Sequence, residues 1–396
     1  MGVMGVPERR VAARVRLRLA AWWEANARDL PWRFGRATPW GILVSEVMSQ
    51  QTQMSRVVPY WTAWMERWPD AAALAAAPKS DVIAAWGRLG YPRRALRLQE
   101  CARVVATECG DDLPRTYDAL VALPGIGDYT ASAVMSFAYG ERIAVVDTNI
   151  RRVLSRVFAG EESRGGAASA AERALAVAVL PRDGGDADGS GNDDDDVPRD
   201  VSRDSGVVPR DVSHDVSRDS SRIPSVTWNQ SVMELGALVC TAKSPLCDHC
   251  PVHDDCAFLA AGRPGLGERR TRPRQRFQGT DRQVRGIVLD ALRKLPAASG
   301  SSAAPERSAV SGSSVTSESS TMSGSPVTSE LSDVSSSSVV SSSSASEPSG
   351  ERASVLERAT VETLWKDHAQ LDRCVASLDE DGLIEILPGG AIRLPR

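Results

Sequence analysis

The sequence predicts an all-α core carrying a small α+β unit at its C-terminal end. Apolar residues recur at three- and four-residue steps through successive windows, and Gly- or Pro-containing breaks separate those windows. No alternation of strand-like and helix-like stretches is present, which argues against a parallel sheet. Along the chain, the basic residues 1–30 read as an amphipathic helix, because Arg interrupts every apolar stretch that a signal peptide would need. Residues 40–60 follow, with Ile42, Leu43, Val44, Val47 and Met48 on helical steps. The same pattern runs through 72–89, 95–106, 117–123, 129–139 and 149–157, broken at Leu89-Gly90-Tyr91-Pro92 and at Leu123-Pro124-Gly125-Ile126-Gly127.

The C-terminal unit has a different grammar. Thr280-Asp281-Arg282-Gln283 is a capping-box pattern that opens a helix over 281–294. Two further helices are expected over 355–366 and 369–381. Residues 383–386 and 391–394, joined through Pro388-Gly389-Gly390, then read as a β-hairpin. Three helices and a hairpin suggest a winged-helix-like module; an appendage that packs without touching DNA fits equally well.

Two inserts interrupt these units. Residues 182–222 hold 12 Asp and 6 Arg, and residues 299–350 are dominated by Ser. Neither has the apolar content that offsets the entropy of ordering. The expected organisation is therefore a core at 8–160 and 223–275, a disordered acidic insert at 161–222, a small unit at 278–298 and 352–396, and a disordered Ser-rich insert at 299–351. The formal net charge of −4 is concentrated in the inserts, and the remaining 303 residues carry +6. A mildly basic folded part permits a polyanionic partner. No stretch approaches the roughly 20 apolar residues of a membrane span.

The densest chemistry lies in Cys240, Cys247, Cys250 and Cys256, spaced Cys-x6-Cys-x2-Cys-x5-Cys within 17 residues. Two disulfides would strain so short a loop, whereas four thiolates suit an iron–sulfur cluster or zinc. Cys101, Cys109 and Cys374 are scattered and read as small hydrophobes, which fits a reducing cytoplasm. The four histidines are His214, His249, His253 and His368, so the helical core has none for a Ser–His or Cys–His nucleophile. Acid–base work falls to carboxylates, Tyr or Lys.

Leu123-Pro124-Gly125-Ile126-Gly127 joins two helical stretches, and its following helix start would present free N–H groups to a phosphate. An ordinary interhelical turn is the plainer reading. Asp147 follows an apolar run at a helix start, where it serves as a cap or as one of a carboxylate pair. Its partner is Glu46, which interrupts an apolar helical face. An acid among apolar neighbours has a raised pKa and stays protonated near neutral pH. A solvated outer face is the alternative for Glu46.

Taken together, the order Leu30-Pro31-Trp32-Arg33, SEVMSQQTQ from Ser45, GRLGY from Gly87, LPGIGDYTASAV from Leu123, VVDTNIRRV from Val145 and WNQSVMELGALVC from Trp228 resembles the helix–hairpin–helix DNA glycosylases. Within them it is similar to the MutY-type adenine glycosylases, over about residues 20–260. The resemblance implies a [4Fe-4S] cluster on the four cysteines and a DNA phosphate on the Gly125–Gly127 hairpin. It implies double-stranded DNA containing A·G or A·8-oxoguanine mispairs as the partner, with the adenine flipped out of the stack. Glu46 would protonate the adenine at N7 and Asp147 would stabilise the oxocarbenium-like sugar, as two glycosidase carboxylates divide their work. Asn149 would position the sugar or water, and Arg33 and Glu234 would line the adenine pocket. Gln50, Gln51 and Thr52 would lie against the opposite base, with Tyr91 wedged into the stack. Tyr91 as a core aromatic and Arg33 as a stacking residue remain open readings.

Tyr129 separates close relatives. Endonuclease III-like enzymes carry a Lys at that place, and a phenol cannot form the Schiff base that an amine forms. The resemblance thus implies a monofunctional glycosylase, monomeric and nucleoid-associated in the cytoplasm, with Tyr129 assisting in the site. The chain departs from the family at Ser49, where many members have an apolar residue, and in lacking a recognisable Nudix-like C-terminal domain. The rivals are an endonuclease III-like enzyme for oxidised pyrimidines and a non-catalytic metal-cluster DNA-binding regulator.

Overall fold

Among the described residues, the helices before residue 268 sort into two apolar lobes, and one helix belongs to both. The computed structural model describes residues 7–163, 165–182, 223–267, 277–295 and 354–396. Those parts of the two inserts that fall at 183–222 and 296–353 lie outside the described residues.

The first lobe is built from α2 (Pro39–Ser49), α3 (Met54–Arg67), α4 (Ala71–Ala76), α5 (Lys79–Trp86), α6 (Arg93–Glu108) and α7 (Tyr117–Ala122). Its centre is aromatic: Trp64 stacks edge-on against Trp86 with ring centroids 5.6 Å apart, and both are fully buried. The second lobe joins α1 (Arg9–Asn26), α9 (Thr148–Leu154), α10 (Ala170–Ala178) and α11 (Ser225–Leu238) to the cysteine loop and the short α12 (Ala257–Ala260). Between the lobes runs α8 (Asp128–Tyr139). Residues Thr130 to Ser136 of α8 are all buried, with Ala131 and Val134 in the first lobe and Ala133 in the second. A helix apolar on every side belongs inside, and this one forms the wall between two cores.

Three expectations for the core change. Residues 40–60 form two helices, because Arg94 on α6 captures the Val47 and Gln50 carbonyls at 2.7 Å each and Gln51 turns left-handed at φ 56. Residues 72–89 likewise divide into α4 and α5 around Pro78. The insert expected to be disordered from 161 contains α10. That helix opens with a complete capping box from Ser169 and Glu172, and its Leu175 and Ala176 are buried in the second lobe.

The C-terminal unit follows the order α13 (Asp281–Arg293), β1 (Val355–Leu356), α14 (Arg358–Thr363), α15 (His368–Glu380), β2 (Glu385–Ile386), β3 (Ile392–Arg393). Its antiparallel sheet has the order β1-β3-β2, with Leu356 and Ile386 both opposite Ile392. Residues 355 and 356, expected to open a helix, are instead strand, because their pairing partners lie on β3 far along the chain. Thr280 does precede α13, but its hydroxyl donates to the Phe277 carbonyl and Gln283 accepts from the Gly279 N–H, so no capping box closes. Ile83 of α5 is part of this unit's apolar cluster, so the unit packs directly on the first lobe.

Candidate active site

A cavity of about 1440 Å³ opens where the two lobes meet. Its inner wall starts from α2, which Thr38 caps by accepting the Gly41 N–H at 3.1 Å and which carries Pro39 in its first turn. Residues Trp40 to Met48 of this helix are all buried, and Glu46 is 8% exposed. Burial pushes the Glu46 carboxyl up to about 7, and the nearby negative charge of Asp147 adds to that effect. A hydrogen bond from the Tyr129 hydroxyl to Oε2 at 2.7 Å and the positive charge of Arg33 oppose it. Tyr129 comes from the first turn of α8; burial and the two carboxylates hold its phenol well above the ordinary range, as a neutral donor.

Asp147 caps α9. Its Oδ1 accepts the Ile150 N–H at 2.6 Å and its Oδ2 accepts Asn149 Nδ2 at 3.0 Å. Burial raises its pKa, while those N–H donors and Arg152 favour its charged form. Asn149 is held in turn by Arg152, whose guanidinium donates to Asn149 Oδ1 at 2.8 Å, to the Gly236 carbonyl at 2.6 Å and to the Cys240 carbonyl at 2.8 Å. Close approach of α9 and α11 requires glycine here: a Cβ on Gly236 would lie 2.7 Å from that of Asn149.

Arg33 lines the cavity, but Glu234 does not. Glu234 is fully buried and is clamped by two arginines. Arg28 donates twice at 2.7 Å, and Arg33 donates at 2.8 and 3.2 Å. Burial alone would push Glu234 up, but these hydrogen bonds outweigh it and hold the carboxyl down to about 2. Glu234 therefore supports the wall and does not line it, which corrects the expectation for that residue. Arg33 also stacks 4.7 Å over Trp23, so it both pairs and stacks.

Gln50, Gln51, Thr52, Gly125 and Gly127 lie around the mouth. Gly125 has φ +77 and a Cβ there would meet Arg97 at 3.1 Å, so glycine is required. Gly127 is not needed for its conformation, since its φ is −108; a Cβ there would meet nothing within 4 Å. Tyr91 lies outside the cavity, 52% exposed and left-handed at φ 48. Arg94 ties that turn to the mouth by donating to the Gly90 carbonyl, the Gln50 carbonyl and Thr52 Oγ1. Arg28, Arg94 and Arg152 were not legible as site residues, because their partners are remote in sequence.

Cys240, Cys247, Cys250 and Cys256 line one small cavity of their own. Arg156, from a π-helical turn after α9, donates to Cys240 Sγ at 3.4 Å and to the Thr241 and Ala242 carbonyls. His253 also borders this cavity, but its Nδ1 faces the Cys250 carbonyl at 3.0 Å and its Nε2 faces Asp254 at 2.9 Å. Four sulfurs remain as the donor set, with guanidinium charge beside them to balance a thiolate-bound group. The residues fit an iron–sulfur cluster.

A helical two-lobed fold, a buried carboxylate pair between the lobes and a four-cysteine loop together define a DNA glycosylase of the helix–hairpin–helix class. Residues 44–178 match the HhH-GPD superfamily of base excision DNA repair proteins, and residues 240–256 match the iron–sulfur binding domain of endonuclease III. The adenine DNA glycosylase of Mycolicibacterium smegmatis is 45% identical over 276 residues, covering 69% of this chain and 79% of that one. The adenine DNA glycosylase of Homo sapiens is 37% identical over 249 residues, covering 60% of this chain and 38% of that one. A thermostable thymine-DNA glycosylase shares the fold with a TM-score of 0.50 and 24% identity, over 64% of this chain and 98% of that one. The chain belongs to the adenine DNA glycosylase family. It is a DNA N-glycosylase of base excision repair whose four cysteines hold a [4Fe-4S] cluster.

Proposed function

We propose that the enzyme is a monofunctional glycosylase that extrudes adenine paired with guanine or 8-oxoguanine and hydrolyses its N-glycosidic bond. Near neutral pH, Glu46 holds the proton that adenine N7 requires. As N7 takes that proton, the C1′–N9 bond breaks and its electron pair leaves with the base. The Asp147 carboxylate, with Asn149 beside it, stabilises the positive charge left on the sugar. Water then adds at C1′ and gives a proton to the Glu46 carboxylate. Tyr129 donates to Glu46 and has no amine for a Schiff base, so the strand stays intact. Gln50, Gln51 and Thr52 at the mouth face the unpaired partner base, and Tyr91 fills the gap in the stack. The four cysteines would hold the cluster and so order the loop whose Cys240 carbonyl accepts from Arg152, the α9 residue that also holds Asn149. The enzyme acts as a monomer, associated with the nucleoid.

One observation carries this reading: Glu46, pushed up to about 7, shares one cavity with Asp147 and Tyr129. The test is single-turnover base release from duplexes pairing adenine with guanine, 8-oxoguanine, cytosine and thymine. Release from the first two, with strand breaks only after alkali, is expected. Cleavage of a thymine glycol strand without adenine release would replace this reading with an endonuclease III-like one. Duplex binding with no base release would make the protein a non-catalytic regulator.

A further inference from the structure

The C-terminal unit has the helix and strand order of a winged helix, in which the second helix of the helix-turn-helix pair is the usual reader of the major groove. Here that helix is α15, and its exposed face carries Asp379 and Glu380, together with Asp372, which is paired with Arg358 at 2.8 Å. Its Arg373 is paired with Asp281, and on the hairpin Arg393 is paired with Glu385. An acidic face repels a phosphate backbone. Whatever this unit does with DNA, α15 is the wrong surface for it.

Docking of the unit turns a different edge toward the substrate. Arg88 pairs with Asp290 at 2.9 Å, Arg93 pairs with Asp381 at 3.2 Å, and Arg293 donates to the Ile83 carbonyl at 3.1 Å. These contacts fix α13 against α5 and the turn after it, fix the end of α15 against α6, and bring the first turn of α13 to Tyr91. The Arg282 guanidinium carbon lies 5.9 Å from the Tyr91 ring centroid. Arg282 is exposed and, among the described residues, pairs with no carboxylate. Its neighbours on the same helix are committed, Arg285 to Asp381 and Arg293 to the Ile83 carbonyl.

Tyr91 is also approached by Arg94, 5.5 Å from the ring, and Arg94 holds Gln50 and Thr52 at the mouth of the base cavity. A continuous strip thus runs from the cavity through the exposed aromatic to an uncommitted guanidinium. Aromatic faces that stack on bases beside cations that meet phosphates are the composition of a nucleic-acid surface. We propose that Arg282 binds a backbone phosphate of the duplex beside Tyr91, so that the C-terminal unit is part of the DNA-binding surface through α13 and not through α15. The proposal rests on the cavity's being the one that receives the extruded base.

The test uses the full-length enzyme and fluorescence anisotropy on an undamaged duplex and an A·8-oxoguanine duplex between 50 and 200 mM salt. Arg282→Gln should weaken both by about the same factor and reduce the slope of log K against log salt by about 0.9. Arg282→Lys should keep the wild-type slope, and Arg393→Ala, on the same unit, should change nothing. Single-turnover adenine release at saturating enzyme should match wild type for Arg393→Ala. In a Tyr91→Ala background, Arg282→Gln should still lower the slope by about 0.9. A wild-type slope for Arg282→Gln overturns the proposal, and so does a loss that vanishes once Tyr91 is gone, because Arg282 then only braces the ring. These are binding measurements, so they stand apart from the functional reading, whose failure would appear as a wild-type enzyme that releases no adenine.

Discussion

Two buried glutamates at the lobe interface, Glu46 and Glu234, have opposite fates. Glu46 is 8% exposed and Glu234 is 0% exposed. Glu46 is pushed up to about 7 and Glu234 is held down to about 2. Burial pushes both upward, so it cannot account for the difference. Two guanidiniums donate four side-chain hydrogen bonds to Glu234, whereas Glu46 receives one phenol and faces a second carboxylate. The protein keeps one glutamate as a structural anion and the other as an acid by allocating its arginines.

The largest effect should come from removing the acid. Glu46→Gln should lower single-turnover adenine release by about 10³-fold or more, roughly 4 kcal/mol of barrier. Duplex affinity, read by anisotropy, should stay within about twofold. Comparable turnover in the variant would mean that some other group protonates the base.

Glu234→Ala leaves the buried Arg33 and the half-buried Arg28 without their anion and should cost about 3–5 kcal/mol of folding stability. The denaturant midpoint measures this. A drop as small as that of a surface substitution would show that the clamp is not structural. In acid the wild-type clamp should fail with the opposite sign to Glu46. Stability from Glu234 is present above 4.5 and is lost as pH falls toward about 2.

For Glu46 the folded state retains a proton that the unfolded chain releases between pH 4.5 and about 7. Stability therefore falls as pH rises through that window and is level above it. At about 1.4 kcal/mol per pKa unit the loss is roughly 3 kcal/mol. Melting curves of wild type and Glu46→Gln should coincide near pH 4 and part by pH 8, with the variant more stable. Parallel curves would show that Glu46 titrates as an ordinary glutamate.

The smallest expected change concerns Tyr129, whose hydrogen bond lowers the Glu46 pKa. Tyr129→Phe should raise it and move the alkaline limb of the pH–rate profile upward, without creating strand cleavage. A downward move would mean that the phenol does not donate to the ionised carboxylate.

How much of this was legible in the sequence depends on the range of the interaction. The apolar face around Glu46, the left-handed turn at Gly125 and the cap at Asp147 are local, and short windows reveal them. The break between α2 and α3 was not legible, because the cation that captures the α2 carbonyls, Arg94, sits more than 40 positions away. β1 was missed for the same reason, since Val355 and Leu356 become strand only by pairing with β3. Helix α10 is a different miss. Its Ser169–Glu172 capping box stood in the sequence and was absorbed into the acidic insert that follows.

Residue identity by itself determined the chemistry available: four thiolates at cluster spacing, a helical core without histidine, and a phenol at 129 where a lyase would need an amine. Those are properties of side-chain atoms, and they survive any arrangement of the chain. Only the tertiary structure decided which glutamate holds a proton and which is an anion. Protonation follows from desolvation and the count of nearby guanidiniums, and the fold brings Arg28 and Arg33 to Glu234 across more than 200 positions while leaving Glu46 buried with one phenol donor and a second carboxylate.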